Sequence, residues 1–138
     1  MKFFPAGADE PVDYQGEREV EAMVAFLNEQ AGTHRNADGT LAEGAGRVAA
    51  LDELIAAAAG NFDAAFATKV ADAVNALTGK DAAFGKLYAN AAKKISTVGA
   101  SYASNELKRL AGMATSKSVT AEQRTNFQLR QSILKAFL

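Results

Sequence analysis

Few side chains in this sequence could carry out covalent or metal chemistry. The 138 residues include no cysteine and a single histidine, His34. Without cysteine the chain has no disulfide, no thiolate metal site and no thiol nucleophile. One histidine excludes a histidine-rich metal site and disfavours a serine–histidine–aspartate triad. We therefore predict a protein that is not an enzyme, with no catalytic residue, no cofactor and no metal site.

Three short motifs allow a chemical interpretation, and each has a simpler one. His34 has carboxylates nearby in sequence, but one imidazole in a glycine-rich stretch is a poor ligand set. The adjacent acids Asp52 and Glu53 would need a pocket that perturbs their pKa values to act as acid and base, so we interpret them as surface carboxylates. The run Gly44-Ala45-Gly46 lacks the lysine and hydroxyl residue of a phosphate-binding loop, which favours a linker.

The charge is divided unevenly along the chain. Residues 1–60 carry four basic and eleven acidic side chains, a net of −7, whereas residues 61–138 carry eleven and five, a net of +6. This asymmetry indicates two modules, or one domain with an acidic and a basic end. The simpler alternative is a pair of solvated surfaces. The basic pairs Lys93-Lys94 and Lys108-Arg109 are too sparse, and too poor in aromatic neighbours, to predict nucleic-acid binding. No apolar run reaches the ~18 residues of a membrane span, so we predict no membrane segment.

The elements that position these residues begin with a short β-region. Residues 2–4 and 11–14 predict two strands of a hairpin, with Pro11 at the start of the second. A helix follows, because its apolar residues recur at i, i+3, i+4 and i+7 up to the stop at Gly32. Those residues are Val20, Met23, Val24 and Leu27. Residues 33–46 are polar and rich in glycine, which is typical of a linker.

Five further helices are predicted in the rest of the chain. No proline follows Pro11, so nothing interrupts helices there. Apolar periodicity and stop signals predict helices over about 47–59, 62–77, 82–98, 102–114 and from 121 onward. Asn61 is the predicted N-cap of the second of these helices and Gly79 its stop, and Asp81 is the predicted N-cap of the third. Thr120 and Gln123 have the spacing of a capping box. Short connections favour antiparallel neighbours, so the fold class is mainly α, a five-helix bundle preceded by a ββα segment.

Two groups of motifs resemble a known arrangement. The runs from Lys2 to Gly7 and from Pro11 to Arg18 resemble the last strands of a thioredoxin domain in protein disulfide isomerases. The remainder resembles the all-helical D domain of the PDI-D subfamily, found in fungi, plants and slime moulds and shared with the redox-inactive endoplasmic-reticulum chaperone of animals and with Windbeutel. The matching D-domain residues are Tyr88, Lys94-Ile95, Gly99, Tyr102, Glu106, Arg109-Leu110 and Ile133–Phe137.

The resemblance implies a domain organisation and a location. Residues 1–32 would be the end of a thioredoxin domain, 33–46 a linker and 47–138 the D domain. The family's C-x-x-C active sites would lie upstream of Met1, so the chain is expected to be a fragment. It carries neither a signal peptide nor an endoplasmic-reticulum retrieval tetrapeptide, although the family is located in the lumen of that compartment. Residues 1–32 would then have to pack on the bundle or on a second copy, which would form a homodimer.

The function implied by the resemblance is that of a non-catalytic interaction module of an endoplasmic-reticulum folding factor. Its partners would be secretory client proteins or the acidic P-domains of lectin chaperones, which the basic charge of residues 61–138 suits. The alternative is a structural spacer or dimerisation unit that binds no client. Tyr88 and Tyr102 could be core residues or part of a binding surface, and Phe137 fits the inner face of its helix. The candidate partner-binding residues are Tyr88, Lys94, Tyr102, Arg109, Arg130 and Phe137.

Overall fold

The computed structural model describes all 138 residues, and it is mainly helical. Six α-helices are accompanied by one two-stranded sheet at the N-terminus, which confirms the predicted fold class. The chain divides into two units, Met1–Ala45 and Gly46–Leu138. None of the helices is both long and apolar enough to cross a membrane.

The first unit contains the predicted hairpin and helix. Strands β1 (Lys2–Phe3) and β2 (Val12–Asp13) pair antiparallel, with Lys2 opposite Asp13. The Lys2 ammonium lies 2.8 Å from an Asp13 carboxylate oxygen, which closes the pair with a cross-strand ion pair. Helix α1 spans Val20–Ala31 and ends at Gly32, whose positive φ of 59° a glycine adopts without strain.

Aromatic contacts join the hairpin to α1. The Phe26 ring lies with its centroid 6.3 Å from that of Phe3 and 5.0 Å from that of Tyr14. No residue of α1 is fully buried, because three short elements cannot cover both sides of a helix. How residues 1–32 pack against another surface therefore stays a prediction.

The stretch predicted as a linker contains a defined turn. The Asn28 side chain donates to the Arg35 carbonyl at 2.7 Å and accepts from the Arg35 amide at 2.9 Å. Arg35 forms an isolated β-bridge with Leu41, and the amide of Ala42 donates to the carbonyl of His34. Local side-chain hydrogen bonds thus give this glycine-rich segment a fixed conformation, a common use of asparagine in turns.

The second unit contains the five predicted helices. They are α2 (Ala49–Ala58), α3 (Ala64–Asn75), α4 (Gly79–Val98), α5 (Ser101–Ala114) and α6 (Ala121–Leu134), with a terminal 3-10 turn over Lys135–Phe137. The capping box of α6 is formed, since Thr120 accepts from the Gln123 amide and the Gln123 side chain accepts from the Thr120 amide.

Three predicted helix-terminal residues differ from the structure. Asp81 is not the N-cap of α4 but lies in its first turn, because the helix begins at Gly79. The N-cap of α3 is Asp63 and not Asn61, because the Asp63 carboxylate accepts from the Phe66 amide at 2.8 Å while Asn61 belongs to the turn that closes α2. Gly79 does not end α3. It is the first residue of α4, after the N-cap Thr78, and its positive φ of 60° reverses the chain between the two helices.

The core of the second unit takes residues from every helix. Gly85 lets α3 and α4 approach closely, since a Cβ there would lie 3.0 Å from the side chains of Val74 and Leu77. The buried apolar residues are Val48, Leu51, Ile55, Phe66, Val70, Val74, Tyr88, Ala91, Ala92, Ile95, Ala103, Leu110, Ile133, Leu134 and Phe137.

Candidate functional site

A groove of about 720 Å³ lies between α4, α5 and α6. Its floor is apolar, formed by the buried residues Ala91, Ile133 and Leu134, and charged side chains stand along its walls. This combination of an apolar floor and a few polar groups is typical of binding sites. The remaining lining residues are Leu87, Asn90, Lys93, Lys94, Thr97, Val98, Tyr102, Glu106, Asn126 and Arg130.

The α4 wall is basic and partly apolar. Ile95 points into the core, so Lys93 and Lys94 on either side of the helix stripe are exposed. Neither lysine forms an ion pair. Val98 closes the same wall with 63% of its surface exposed, an unusual position for a large aliphatic side chain. The wall therefore offers two unpaired cations beside apolar surface.

The opposite wall contains a carboxylate bound by two arginines. Glu106 of α5 is 9% exposed. Arg109 donates two hydrogen bonds to its carboxylate, from Nε to Oε2 at 2.7 Å and from Nη2 to Oε1 at 2.6 Å. Arg130 of α6 also donates to Oε1, at 3.1 Å. The Arg109 hydrogen bonds, with the charges of both arginines, hold the pKa of Glu106 below its ordinary value despite its burial. Glu106 is therefore a carboxylate that stays ionised at neutral pH.

Tyr102 lines the groove between these two walls. Its ring is half-buried, and burial followed by the negative charge of Glu106 raises the pKa of its phenol. The hydroxyl therefore remains a neutral hydrogen-bonding group at neutral pH, next to an apolar ring face.

A second polar cluster, which we call the α2 cluster, consists of Arg47, Val48, Asp52 and Tyr88. The Tyr88 hydroxyl donates to Asp52 Oδ1 at 2.6 Å and accepts from the Val48 amide at 3.1 Å. Arg47 Nε contacts both Asp52 oxygens, at 3.0 and 2.9 Å, and its Nη1 donates to the Ser132 carbonyl at 3.1 Å. Burial, reinforced by the bond to Asp52, raises the pKa of Tyr88 to about 12. The α2 cluster joins the start of α2 to α4 and α6.

The six predicted partner-binding residues separate into three groups. Lys94, Tyr102 and Arg130 line the groove together. Arg109 is exposed beside it and reaches the groove only through Glu106. Tyr88 and Phe137 are core residues, 0% and 5% exposed, with ring centroids 6.3 Å apart, which removes them from any surface available to a partner.

Among the charged and the exposed large apolar residues that line the groove, three are not among the candidates predicted from sequence. Lys93 and Val98 belong to the α4 wall, and Glu106 belongs to the opposite wall. Glu106 stands three residues before Arg109, a spacing that predicts a pair on one helix face. Its second partner, Arg130, is 24 residues away on another helix, and no local pattern indicates that contact. No cluster of three or more His, Cys, Asp or Glu side chains could hold a metal ion.

The second unit is a helical bundle with a groove between α4, α5 and α6. Residues 46–137 match the family model described as "Endoplasmic reticulum protein ERp29, C-terminal domain", so the chain belongs to that family. The domain of this family is not catalytic, and the absence of cysteine means that the chain has no C-x-x-C active site.

Curated relatives match the whole chain. It is 37% identical to "Protein disulfide isomerase-like 2-1" of rice (Oryza sativa subsp. japonica) over 140 residues, covering 99% of this chain and 38% of the relative. It is 36% identical to "Probable protein disulfide-isomerase A6" of Medicago sativa, with coverages of 99% and 38%. It is 38% identical to "Protein disulfide-isomerase tigA" of Aspergillus niger, with coverages of 100% and 36%. These relatives confirm the resemblance to protein disulfide isomerases.

The chain spans less than two-fifths of the length of these relatives. No solved structure matches it significantly.

Proposed function

We propose that residues 46–138 form a non-catalytic binding module that takes an acidic, partly apolar segment of a protein partner into the groove. The observation that carries this proposal is the α4 wall, where Lys93 and Lys94 have no counter-ion and stand beside the exposed Val98. Acidic side chains would pair with the lysines while apolar ones cover the floor. Such a mixed surface is typical of interfaces with an apolar centre and a charged rim.

The charge of the second unit supports the same class of partner. Residues 46–138 contain twelve basic and seven acidic side chains, a net of +5. A positive surface accelerates encounter with an acidic partner and makes the association sensitive to salt. Rim charges contribute modestly to affinity, so binding should be weak at physiological ionic strength.

The relatives indicate a cellular compartment, and the resemblance to D domains indicates two kinds of partner. Proteins named as protein disulfide isomerases match the whole chain, which supports a role beside secretory folding in the lumen of the endoplasmic reticulum. The resemblance to D domains adds two kinds of partner: unfolded secretory clients and the acidic P-domains of lectin chaperones. A P-domain is a suitable first probe because its acidic character complements the α4 wall.

Titration of the 138-residue chain with an isolated P-domain, followed by calorimetry or NMR shifts, tests the proposal. We expect binding at low ionic strength that weakens as salt is added. Replacing both lysines, Lys93→Gln with Lys94→Gln, should weaken binding by about three- to tenfold. Lys108→Gln with Lys117→Gln is the matched control, because it also removes two exposed cations and both lie outside the groove. Absence of heat and of shifts at low salt would overturn the proposal. An equal loss of affinity in the control would show that Lys93 and Lys94 are not the binding site.

The first unit favours a second candidate function, association through residues 1–32. Four large apolar side chains are exposed there: Met1 (58%), Phe4 (68%), Val20 (52%) and Leu27 (38%). Val20 and Leu27 lie on α1, where they leave apolar surface that a second copy could cover. Light scattering of the full chain distinguishes this candidate. A dimer supports it, whereas a monomer with fast amide exchange over residues 2–30 contradicts it.

A further inference from the structure

The three cations of the groove are not equivalent. Lys93 and Lys94 on the α4 wall have no ion-pair partner, whereas Arg130 on the opposite wall donates to Glu106 at 3.1 Å. Arg130 is 34% exposed, so it faces the groove while it is bound to this carboxylate. The groove is therefore polarised, with free positive charge on one wall and compensated charge on the other.

Glu106 is held in place independently of Arg130. Both of its oxygens accept from Arg109, which does not line the groove. A carboxylate with a two-point arginine contact has a fixed position and orientation. Glu106 would consequently remain beside Arg130 whether or not the groove is occupied.

Glu106 is the only acidic residue that lines the groove. Its Oε1 stands at hydrogen-bond distance from Arg130, in the position that an acidic group of a ligand would need to reach that guanidinium. A second carboxylate entering there would be repelled by Glu106 and would have to share its partner.

We propose that Glu106 is a specificity-determining residue, because it occupies Arg130 and so masks this guanidinium from a ligand. This inference rests on the proposed function. Glu106 directs the acidic part of a bound segment to Lys93 and Lys94 and leaves the α5–α6 wall for neutral or apolar side chains. The groove then selects segments with acidic residues at one end only. Removing the negative charge of Glu106 would expose a second site for carboxylates at Arg130.

Two fluorescent peptides test this selectivity on the full 138-residue chain. One carries glutamates at one end of an apolar centre, and the other carries glutamates at both ends. The unmodified protein should bind the doubly acidic peptide more weakly than the singly acidic one, because the second acidic end gains no partner and is repelled by Glu106. Glu106→Gln should bind the doubly acidic peptide about two- to fivefold more tightly than the singly acidic one, with a steeper salt dependence.

Arg130→Gln provides the second arm. Alone, it should weaken binding of either peptide less than Lys94→Gln does, since Arg130 is masked. Combined with Glu106→Gln, it should abolish the preference for the doubly acidic peptide, a coupling that a purely structural role of Glu106 would not produce. If Glu106→Gln fails to fold by circular dichroism, the comparison of Arg130→Gln with Lys94→Gln decides the proposal, because an equal or larger loss in Arg130→Gln would overturn it.

The outcomes separate the two proposals. If the unmodified protein binds both peptides through Lys93 and Lys94 but Glu106→Gln shows no preference between them, masking is wrong and the proposed binding function stands. If neither the unmodified protein nor Glu106→Gln binds either peptide, both proposals are overturned.

Discussion

The α2 cluster can be compared with a second cluster at the groove, which we call the Glu106 cluster and which consists of Tyr102, Glu106, Arg109 and Arg130. The two clusters use the same three side-chain types in different ways. Each contains a carboxylate, at least one arginine and a nearby tyrosine. In the α2 cluster Tyr88 is fully buried, its hydroxyl bonds the carboxylate, and Arg47 reaches a carbonyl of α6. In the Glu106 cluster Tyr102 is only half-buried, and Arg130 faces an open groove. Residue type alone does not distinguish a structural contact from a binding surface. The burial of the tyrosine does, since Tyr88 is fully buried and Tyr102 is not, whereas the Glu106 carboxylate is more buried than that of Asp52.

The difference has an energetic meaning. Buried hydrogen bonds are costly to break because the groups left behind lose water as well as their partner. Solvent-facing ion pairs contribute little, because water replaces each partner that is removed. We therefore expect the α2 cluster to govern folding stability and the Glu106 cluster to govern recognition, and substitutions in each can test that division.

The two tyrosines should give the largest contrast. Tyr88→Ala removes a fully buried ring and its two hydrogen bonds, so we expect the free energy of unfolding to fall by about 3–5 kcal/mol. Tyr102→Ala removes a half-buried ring at the groove and should lower the free energy of unfolding by about 1–2 kcal/mol. Urea unfolding followed by circular dichroism measures both. Equal losses in the two variants would contradict the division between the clusters.

Alkaline pH should act selectively on the α2 cluster. The pKa of Tyr88 is raised from 10.0 to about 12 in the folded protein, so its contribution to stability is complete below pH 10 and is lost as pH rises through about 12. The loss is at most about 2–3 kcal/mol, since each pKa unit corresponds to about 1.4 kcal/mol.

Tyr88→Phe identifies this step. The variant should be less stable at neutral pH, because Asp52 and the Val48 amide lose a partner, but it should lack the component of alkaline destabilisation that Tyr88 contributes. Ultraviolet titration of the tyrosines alongside urea unfolding measures both effects. An identical pH dependence in the two proteins would show that Tyr88 does not contribute.

The helices could be predicted from sequence because their signals are local. Apolar spacing over α3 places Phe66, Val70 and Val74 on one buried face, and Thr120 with Gln123 specifies the start of α6. The N-cap of α3 is ambiguous in the sequence because two capping residues, Asn61 and Asp63, stand two positions apart. Only the turn that closes α2 decides between them.

The groove could be predicted only in part, because it depends on which helix faces meet. Of the predicted partner-binding residues, Lys94, Tyr102 and Arg130 line one groove, and their role in binding stays a prediction. Tyr88 has the same chemical type as Tyr102 but lies in the core. Nothing in the local sequence separates two amphipathic tyrosines on adjacent helices. The contact of Arg130 with Glu106 depends on the packing of α5 against α6, which periodicity does not describe.

Removing the charge of Asp52 should have an intermediate effect. In Asp52→Asn the amide can still accept from Tyr88, but the ion pair with Arg47 at 2.9 Å is lost, so we expect a destabilisation of about 1–2 kcal/mol. Glu53→Gln is the matched control, because Glu53 is the adjacent exposed carboxylate of the same helix and should change stability by less than about 0.5 kcal/mol. Chemical unfolding measures the free energy of unfolding of the two variants. Similar values would mean that the α2 cluster does not stabilise the fold.

The smallest stability effect is expected at Glu106, where the difference between Glu106→Gln and the unmodified protein should be present at neutral pH and disappear in acid. Hydrogen bonds from Arg109, with the charges of Arg109 and Arg130, lower the pKa of Glu106 in the folded protein. Its contribution is therefore present above the ordinary value of 4.5 and is lost as pH falls through the lower folded pKa. Glu106→Gln should unfold like the unmodified protein at neutral pH to within about 1 kcal/mol and show a weaker loss of stability in acid. A loss of stability at neutral pH as large as that of Tyr88→Ala would mean that Glu106 is a structural residue. The contact between α5 and α6 at the groove would then stabilise the fold in the same way as the α2 cluster stabilises the packing of α2 on the bundle.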